Sequence, residues 1–120
     1  NCVVYTGTHD NDTVNGWITT MSRKDLAFTK KYLNVKRTTE LCETLIRTAL
    51  GSVADTAIIP MQDYLGLGGE ARINTPSTLG GNWEWRMERG ACTEALSKHM
   101  LELAQIYGRI VPKSSRKKTK

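Results

Sequence analysis

Two short apolar runs that lack polar alternation predict buried strands. They cover residues 2–5 and 57–60, and the second ends at Pro60. Runs of this kind are typical of parallel strands that are covered on both faces, whereas a strand with one wet face alternates apolar and polar residues. Polar residues and glycines follow each run directly. We therefore expect parallel strands that present polar side chains at their carboxyl ends, where α/β folds carry their chemistry.

Three segments of the chain carry the repeat of an amphipathic helix. The first follows Ser22, a typical N-cap residue, and keeps a rough helical period as far as Leu33. The second has the strongest repeat, which lies between Thr39, the predicted cap, and Gly51, the predicted stop. The third begins at Thr93 and keeps one apolar face for more than three turns.

Residues 61–81 break every regular pattern and read as a long loop. The segment is rich in glycine and polar residues, and a loop of this length above a strand end is usually functional. The predicted order is therefore strand, loop, two helices, strand, long loop, helix. This alternation is typical of βα units and of the α/β class.

Two parallel strands can neither close a barrel nor cover both faces of a sheet. The chain also starts at Asn1 without an initiator methionine, and its first predicted strand follows at once. We therefore expect a partial α/β domain that belongs to a longer protein.

The basic charge of the chain is concentrated at one end. The formal net charge is +5, but residues 113–120 contain five of the 17 lysines and arginines and no acidic residue. The other 12 basic residues match the 12 acidic ones, so the rest of the chain is neutral. A terminal run of like charge is usually a solvated end, and a nucleic-acid surface would need basic residues spread over a face. We expect residues 112–120 to form a basic disordered tail, and we expect no nucleic-acid partner.

The cysteines and the hydropathy pattern indicate in which cellular compartment the protein is expected. Cys2, Cys42 and Cys92 are odd in number and lack the spacing of a metal site, so we expect three buried apolar residues in a reducing compartment. No stretch approaches the length of about 20 apolar residues that a membrane helix needs, and no signal peptide is visible. The expectation is a cytoplasmic protein without a membrane partner.

Two short motifs match known ligand loops in form only. Residues 66–71 fit the spacing of a dinucleotide-binding turn, but Pro60 separates them from their strand and a poor helix start follows. Residues 10–12 suggest a calcium loop, but Val14 and Met21 occupy positions where an EF-hand needs oxygen ligands. We reject both motifs and leave a single-ion site open.

His9 and Asp10 form the third candidate, at the end of the first predicted strand. A carboxylate beside an imidazole, with amides and indoles nearby, suits a sugar ring, because polar groups bind hydroxyls and flat rings cover the C–H face. The alternative is that the acidic residues cap a turn and the tryptophans simply pack. Spacing alone leaves both open. The second polar loop would supply the facing residues Asn74, Asn82, Trp83, Trp85 and Arg86.

Several linked motifs resemble the C-terminal part of the 4-alpha-glucanotransferases known as amylomaltases or disproportionating enzymes. The resemblance runs from about Val3 to about Tyr107, and the motifs occur in the right order, which makes it more specific than any one of them. The stretches that carry it are Tyr-Thr-Gly-Thr-His-Asp-Asn-Asp-Thr at 5–13, Gly-Trp at 16–17, Gln-Asp at 62–63, Leu-Gly-Leu-Gly at 65–68, Glu-Ala-Arg at 70–72, Asn74 and Gly-Asn-Trp-Glu-Trp-Arg at 81–86.

The resemblance implies a partial (β/α)8 TIM barrel over residues 1–111, covering the last two strands and their helices. The activity implied is retaining transfer of α-1,4-glucan segments between donor and acceptor oligosaccharides, with no metal or cofactor. Asp10 would be the third catalytic carboxylate, a transition-state stabiliser, and His9 its neighbour in the sugar subsite. The substrate-binding residues implied are Asn74, Asn82, Trp83 and Arg72.

The nucleophile and the acid/base carboxylate of that family match no motif in this chain. Retaining transfer needs both, roughly 5 Å apart, so the chain alone is expected to be inactive. Ile18 and Gly69 depart from the family pattern, which bears on acceptor contacts or loop stiffness. Two functions stay open: the C-terminal segment of a glucan-transferring enzyme, or a non-catalytic α-glucan-binding or vestigial fragment.

Overall fold

A two-stranded parallel sheet forms the base of the fold. The computed structural model describes residues 1–111, and the predicted tail at 112–120 lies outside the described residues. Strand β1 (Val3–Tyr5) pairs in parallel with strand β2 (Thr56–Ile58). The predicted parallel strands are confirmed, but their bounds differ: β1 begins one residue later than predicted, and β2 begins one residue earlier and ends two residues earlier. In particular, Pro60 is the N-cap of a following helix rather than the last strand residue, since it has no N–H to donate to a sheet.

The first and third predicted helices are confirmed with their caps. Helix α2 (Arg23–Tyr32) begins after Ser22, whose hydroxyl accepts from the Asp25 N–H at 3.0 Å. Helix α5 (Glu94–Ile106) begins after Thr93, which accepts from the Leu96 N–H at 3.1 Å. Each hydroxyl satisfies one of the backbone donors that a helix start leaves without an intrahelical partner.

Helix α3 (Leu41–Leu50) is confirmed, but its predicted cap is wrong. Thr39 lies inside a 3-10 turn, Thr38–Glu40, that leads directly into the helix. The Glu40 carboxylate accepts from the Arg37 N–H at 3.2 Å, so an acidic side chain closes this start. Gly51 follows the helix as predicted.

Two short helices were missed in segments that the sequence pattern marks as loops. They are α1 (Val14–Thr19) and α4 (Met61–Tyr64), and a 3-10 turn follows at Gly69–Ala71. Helices of four to six residues are too short to be stable by local propensity, so they depend on tertiary contacts. The three-residue 3-10 turn also shows that residues 66–71 do not open a long helix, as a dinucleotide site would require.

The core lies where α3 meets α1 and α5. Its members are all apolar and come from three helices. Leu41 and Leu103 are its fully buried members, and Leu103 is the one fully buried residue of α5. The core cluster comprises Val14, Ile18, Leu41, Cys42, Ile46, Leu50 and Leu103.

The expectation of three buried cysteines is correct for Cys42 alone. Burial raises the pKa of its thiol to about 11, with the nearby carboxylates of Asp63 and Glu43 contributing in the same direction. The Sγ atom donates to the Asp63 carbonyl at 3.4 Å. Cys42 is therefore a core residue without thiolate character at neutral pH, whereas Cys2 and Cys92 are exposed.

The sheet keeps one apolar face open. Val3 and Tyr5 are each 48% exposed and Ile58 is 45% exposed, so residues 1–111 do not supply the cover that such strands require. Among the described residues, each strand pairs on one side only. Within the same part of the chain, no helix has the length and apolarity needed to cross a membrane.

We expect the 120-residue chain by itself to be insoluble or molten, because its open sheet face and unpaired strand edges template aggregation. Amide hydrogen exchange and thermal melting followed by circular dichroism check this. The expected result is a helical far-UV signal with weak amide protection. A sharp melt of a monomer with well-dispersed amide resonances would contradict it.

The end of α5 is anchored by Arg109, whose guanidinium group donates to four main-chain carbonyls. Nε bonds the Leu50 oxygen at 2.9 Å and Nη2 bonds the Ser52 oxygen at 3.2 Å. Nη1 bonds the carbonyls of Ala54 at 2.7 Å and Asp55 at 3.3 Å. These carbonyls belong to the end of α3 and its connection to β2, so one side chain joins three elements.

Replacing Arg109 should therefore destabilise the full-length gene product. We expect Arg109→Ala to lower the free energy of unfolding by about 2 kcal/mol, the scale of hydrogen bonds to a charged group. Arg109→Lys should lose most of the same amount, because an ammonium group lacks the planar fork. Urea denaturation checks both, with Arg89→Ala at an exposed position as control. Equal urea midpoints of unfolding for the control and the Arg109 variants would contradict a stabilising role for the Arg109 hydrogen bonds.

Candidate functional site

A cleft of about 590 Å³ opens at the carboxyl ends of the two strands. Its walls come from the loop after β1 and from the segment that follows β2. The parallel pairing explains this position, because the carboxyl ends of parallel strands meet at one edge of the sheet. The lining residues that carry polar side chains include Thr8, His9, Asp10, Asp12, Gln62 and Arg72.

His9 and Asp10 form an ion-pair geometry at this cleft. The His9 Nε2 atom lies 3.3 Å from Asp10 Oδ2, and both side chains are about half exposed. The other carboxylate oxygen, Oδ1, accepts from the Asn74 side-chain amide at 2.7 Å. The Asn74 N–H also donates to the His9 carbonyl at 3.2 Å. Two loops that are more than 60 residues apart in sequence are therefore hydrogen-bonded around one carboxylate.

Arg72 lines the cleft, and its guanidinium group donates hydrogen bonds to two main-chain carbonyls. Its Nη2 group donates to the Asp10 carbonyl at 2.8 Å, and its Nε group donates to the Asn74 carbonyl at 2.8 Å. Guanidinium N–H groups leave the side chain in a fixed planar fork, so these two bonds set where the carbonyls lie relative to each other.

Trp83 provides an exposed ring next to His9. The two ring centroids are 5.1 Å apart with a 36° tilt, and the tryptophan is 63% exposed. Its φ of 62° is left-handed, which costs energy for any residue with a Cβ atom. The Trp83 N–H bonds the Ile73 carbonyl at 2.7 Å, which closes the base of the loop that precedes it. A strained residue held against a cleft-lining side chain, here His9, is a typical feature of a functional position.

Asn82 braces the loop before Trp83. Its Oδ1 atom accepts from the Thr75 N–H at 2.9 Å, and its Nδ2 group donates to the Thr78 hydroxyl at 3.0 Å. The sequence predicts Asn82 to be a substrate-binding residue, and this expectation stays a prediction. Trp85 and Arg86, which were expected to face the pair, share no hydrogen bond or ring contact with His9 or Asp10 among the described residues.

Asp63 supports the site through two hydrogen bonds, a role that sequence reasoning missed. The side chain is buried, and its Oδ1 atom accepts from the Val14 N–H at 2.9 Å. Oδ2 accepts from the Thr6 hydroxyl at 2.7 Å. Asp63 thus satisfies the first N–H of α1, whose N-cap residue is Thr13, and links α4 to the segment that follows β1. Its partners are 49 and 57 residues away, so no local pattern could have revealed it.

Two further acidic residues have local structural roles. Asp12 accepts from the Thr13 N–H at 2.7 Å and lies so close to Gly16 that a Cβ atom there would clash with its carboxylate. Glu70 accepts from the Gly68 N–H at 3.0 Å, so it caps the loop that contains it. Within residues 1–111, no three His, Cys, Asp or Glu side chains are grouped so that they could hold a metal ion.

Parallel strands with polar groups at their carboxyl ends place the chain among α/β proteins that have a strand-end site. Comparison with known proteins defines it further. A family model described as 4-alpha-glucanotransferase matches residues 1–93. The chloroplastic/amyloplastic 4-alpha-glucanotransferase of Arabidopsis thaliana is 44% identical over 92% of this chain and 20% of its own length. The 4-alpha-glucanotransferase of Clostridium butyricum is 46% identical over 91% of this chain and 23% of its own length. The chain therefore belongs to the 4-alpha-glucanotransferase family.

A solved structure agrees with this assignment. The amylomaltase from Streptococcus agalactiae, in complex with acarbose, matches with a TM-score of 0.83 and 36% identity. The match covers 88% of this chain and 21% of the amylomaltase. The chain thus spans about one fifth of the length of the relatives it matches, and a partial barrel fits that share.

We expect Asp63→Ala in the full-length gene product to be destabilising, because it leaves the Val14 N–H without its acceptor. A buried donor that loses its partner costs about 1–3 kcal/mol. Asp63→Asn should lose less, since the amide oxygen can still accept and the Thr6 hydroxyl can accept from the amide N–H. Thermal melting of both variants checks this, with Asp55→Ala, 67% exposed, as control. A lower melting temperature for Asp63→Asn than for Asp63→Ala would contradict the role of Asp63 as acceptor for the Val14 N–H.

Proposed function

We propose that this chain supplies the last two strands, with their helices, of a (β/α)8 catalytic barrel in a retaining 4-alpha-glucanotransferase. The enzyme would move a segment of α-1,4-glucan from a donor to an acceptor oligosaccharide. The observation that carries the proposal is the carboxylate of Asp10, which Asn74 bonds and His9 flanks at the mouth of the strand-end cleft. Membership of the family supports the reaction type.

Asp10 would act as a transition-state stabiliser rather than as nucleophile or acid/base. Retaining transfer passes through an oxocarbenium-like state between two other carboxyl groups roughly 5 Å apart. With one oxygen held by Asn74, the Asp10 carboxylate has a defined orientation and can accept from sugar hydroxyls. Such bonds strengthen as the ring flattens and positive charge develops, so they lower the barrier more than they improve ground-state binding.

The neighbouring groups would hold the sugar. The His9 ring can donate to a hydroxyl, and the exposed face of Trp83 suits the C–H side of a pyranose ring. Asn74 would contact the sugar beside Asp10, and Asn82 is a further candidate. The related amylomaltase is in complex with acarbose, and we propose that this cleft takes a ligand of the same kind.

Further chain would have to supply the nucleophile and the acid/base, so the 120 residues alone are proposed to be inactive. We propose no nucleic-acid or membrane partner and no cofactor. A cytoplasmic location also stays a prediction, and some relatives are described as chloroplastic/amyloplastic.

Asp10→Asn in the full-length gene product should lower turnover by orders of magnitude. Binding of maltooligosaccharides should stay within about tenfold, because a transition-state contact affects rate more than ground-state affinity. Initial rates of glucose release from maltotriose and calorimetric binding measure the two effects. Asp55→Asn, at the amino end of β2 and remote from the cleft, is the matched control.

Two outcomes would contradict this assignment. Turnover of Asp10→Asn near that of wild type would leave Asp10 as a turn cap. Binding of glucans by the wild-type product without any transfer would favour the non-catalytic alternative.

A further inference from the structure

We propose that Arg72 is a positioning residue that sets the catalytic geometry of Asp10 through its main chain. This inference rests on the proposed function and adds to it. Arg72 would act by holding the carbonyl groups of Asp10 and Asn74 in a fixed relation, so that the Asn74 amide meets the Asp10 carboxylate. The resemblance to the family implies Arg72 as a substrate-binding residue and says nothing of this role.

The first support is the geometry of the guanidinium group. Nη2 and Nε donate to the carbonyls of Asp10 and Asn74, both at 2.8 Å. One bond reaches across 62 positions of sequence, and the other spans two. Arg72 therefore ties the loop after β1 to the segment after β2 by a single rigid fork.

The second support is the absence of regular structure around these two residues. Asp10 lies in a turn between β1 and α1, and residues 72–93 contain no helix or strand. Two bonds other than those of Arg72 join the loops here: Asn74 N–H to the His9 carbonyl at 3.2 Å and Asn74 Nδ2 to Asp10 Oδ1 at 2.7 Å. Each depends on where Asn74 lies, which the Arg72 Nε bond helps to set.

The third support is chemical. A transition-state contact requires its groups to be held within about 0.5 Å of the productive geometry. A rigid donor restricts the positions of main-chain carbonyls in a loop, and the planar guanidinium fork is suited to two carbonyls at once. Lysine offers a flexible stem and a point charge, so it cannot reproduce the arrangement.

A double-mutant cycle in the full-length gene product tests the proposal. Arg72→Ala and Arg72→Lys are each made alone and combined with Asp10→Asn, and transfer from maltotriose is measured. We expect each single Arg72 variant to lower kcat by about tenfold or more while KM changes by less than about threefold. In the Asp10→Asn background, the same changes should have little further effect on kcat, because Arg72 acts through Asp10.

Chemical rescue provides a second measurement. Added guanidinium ion at millimolar concentration should restore part of the kcat of Arg72→Ala and none of that of Asp10→Asn. Arg89→Ala, at an exposed position outside the cleft lining, is the matched control and should behave as wild type in both measurements.

Distinct outcomes separate failure of this inference from failure of the proposed function. Full turnover of Asp10→Asn contradicts the function itself. If Asp10→Asn loses turnover, additive effects of the Arg72 and Asp10 changes would overturn positioning, as would a raised KM with unchanged kcat, which indicates direct sugar contact. Full activity of Arg72→Lys would also overturn it. So would loss of folding in both Arg72 variants, because Arg72 would then support the fold rather than Asp10.

Discussion

The parallel pairing of β1 with β2 is the constraint on which the rest of the structure depends. It places the carboxyl ends of the two strands side by side, with Tyr5 opposite Ile58. The polar residues that follow each strand therefore meet at one edge of the sheet, although more than 60 residues of chain separate them. An antiparallel pair would have put the same residues at opposite ends, and no cleft would hold Asp10 against Asn74.

Charged side chains supply the hydrogen-bond partners that these short elements cannot provide for their own backbone groups. Strands of three residues and helices of four to six cannot satisfy their own backbone groups, and buried polar groups must be paired. Asp63 supplies an acceptor to the start of α1, while Arg109 and Arg72 supply donors to carbonyls in connections. Each of these side chains bonds main-chain atoms from distant parts of the chain, so the same groups that satisfy the backbone also fix the tertiary arrangement.

The open face of the sheet agrees with the small share of its relatives' length that the chain spans. Val3, Tyr5 and Ile58 leave an apolar surface exposed, and the chain spans about one fifth of the relatives it matches. The site within these residues is nonetheless well defined, because its polar contacts are internal to the chain. Asp10, Asn74 and Arg72 are bonded to one another, and Trp83 is held beside His9 in a left-handed conformation.

The sequence by itself determined the features that depend on local pattern. The apolar runs indicated parallel strands, and the caps at Ser22 and Thr93 correctly marked two helix starts. The motif around His9 and Asp10 indicated the family that the comparisons then established. Only the tertiary structure decided the features that depend on long-range bonds. Helix α1 was missed because its six residues are too few to show a helical period. The backbone contacts of Asp63 and Arg72 have no local signature, because the Val14 N–H is 49 residues from Asp63 and the Asp10 carbonyl is 62 residues from Arg72. Periodicity and capping report contacts within a few residues, whereas bonds between loops exist only once the strands have paired.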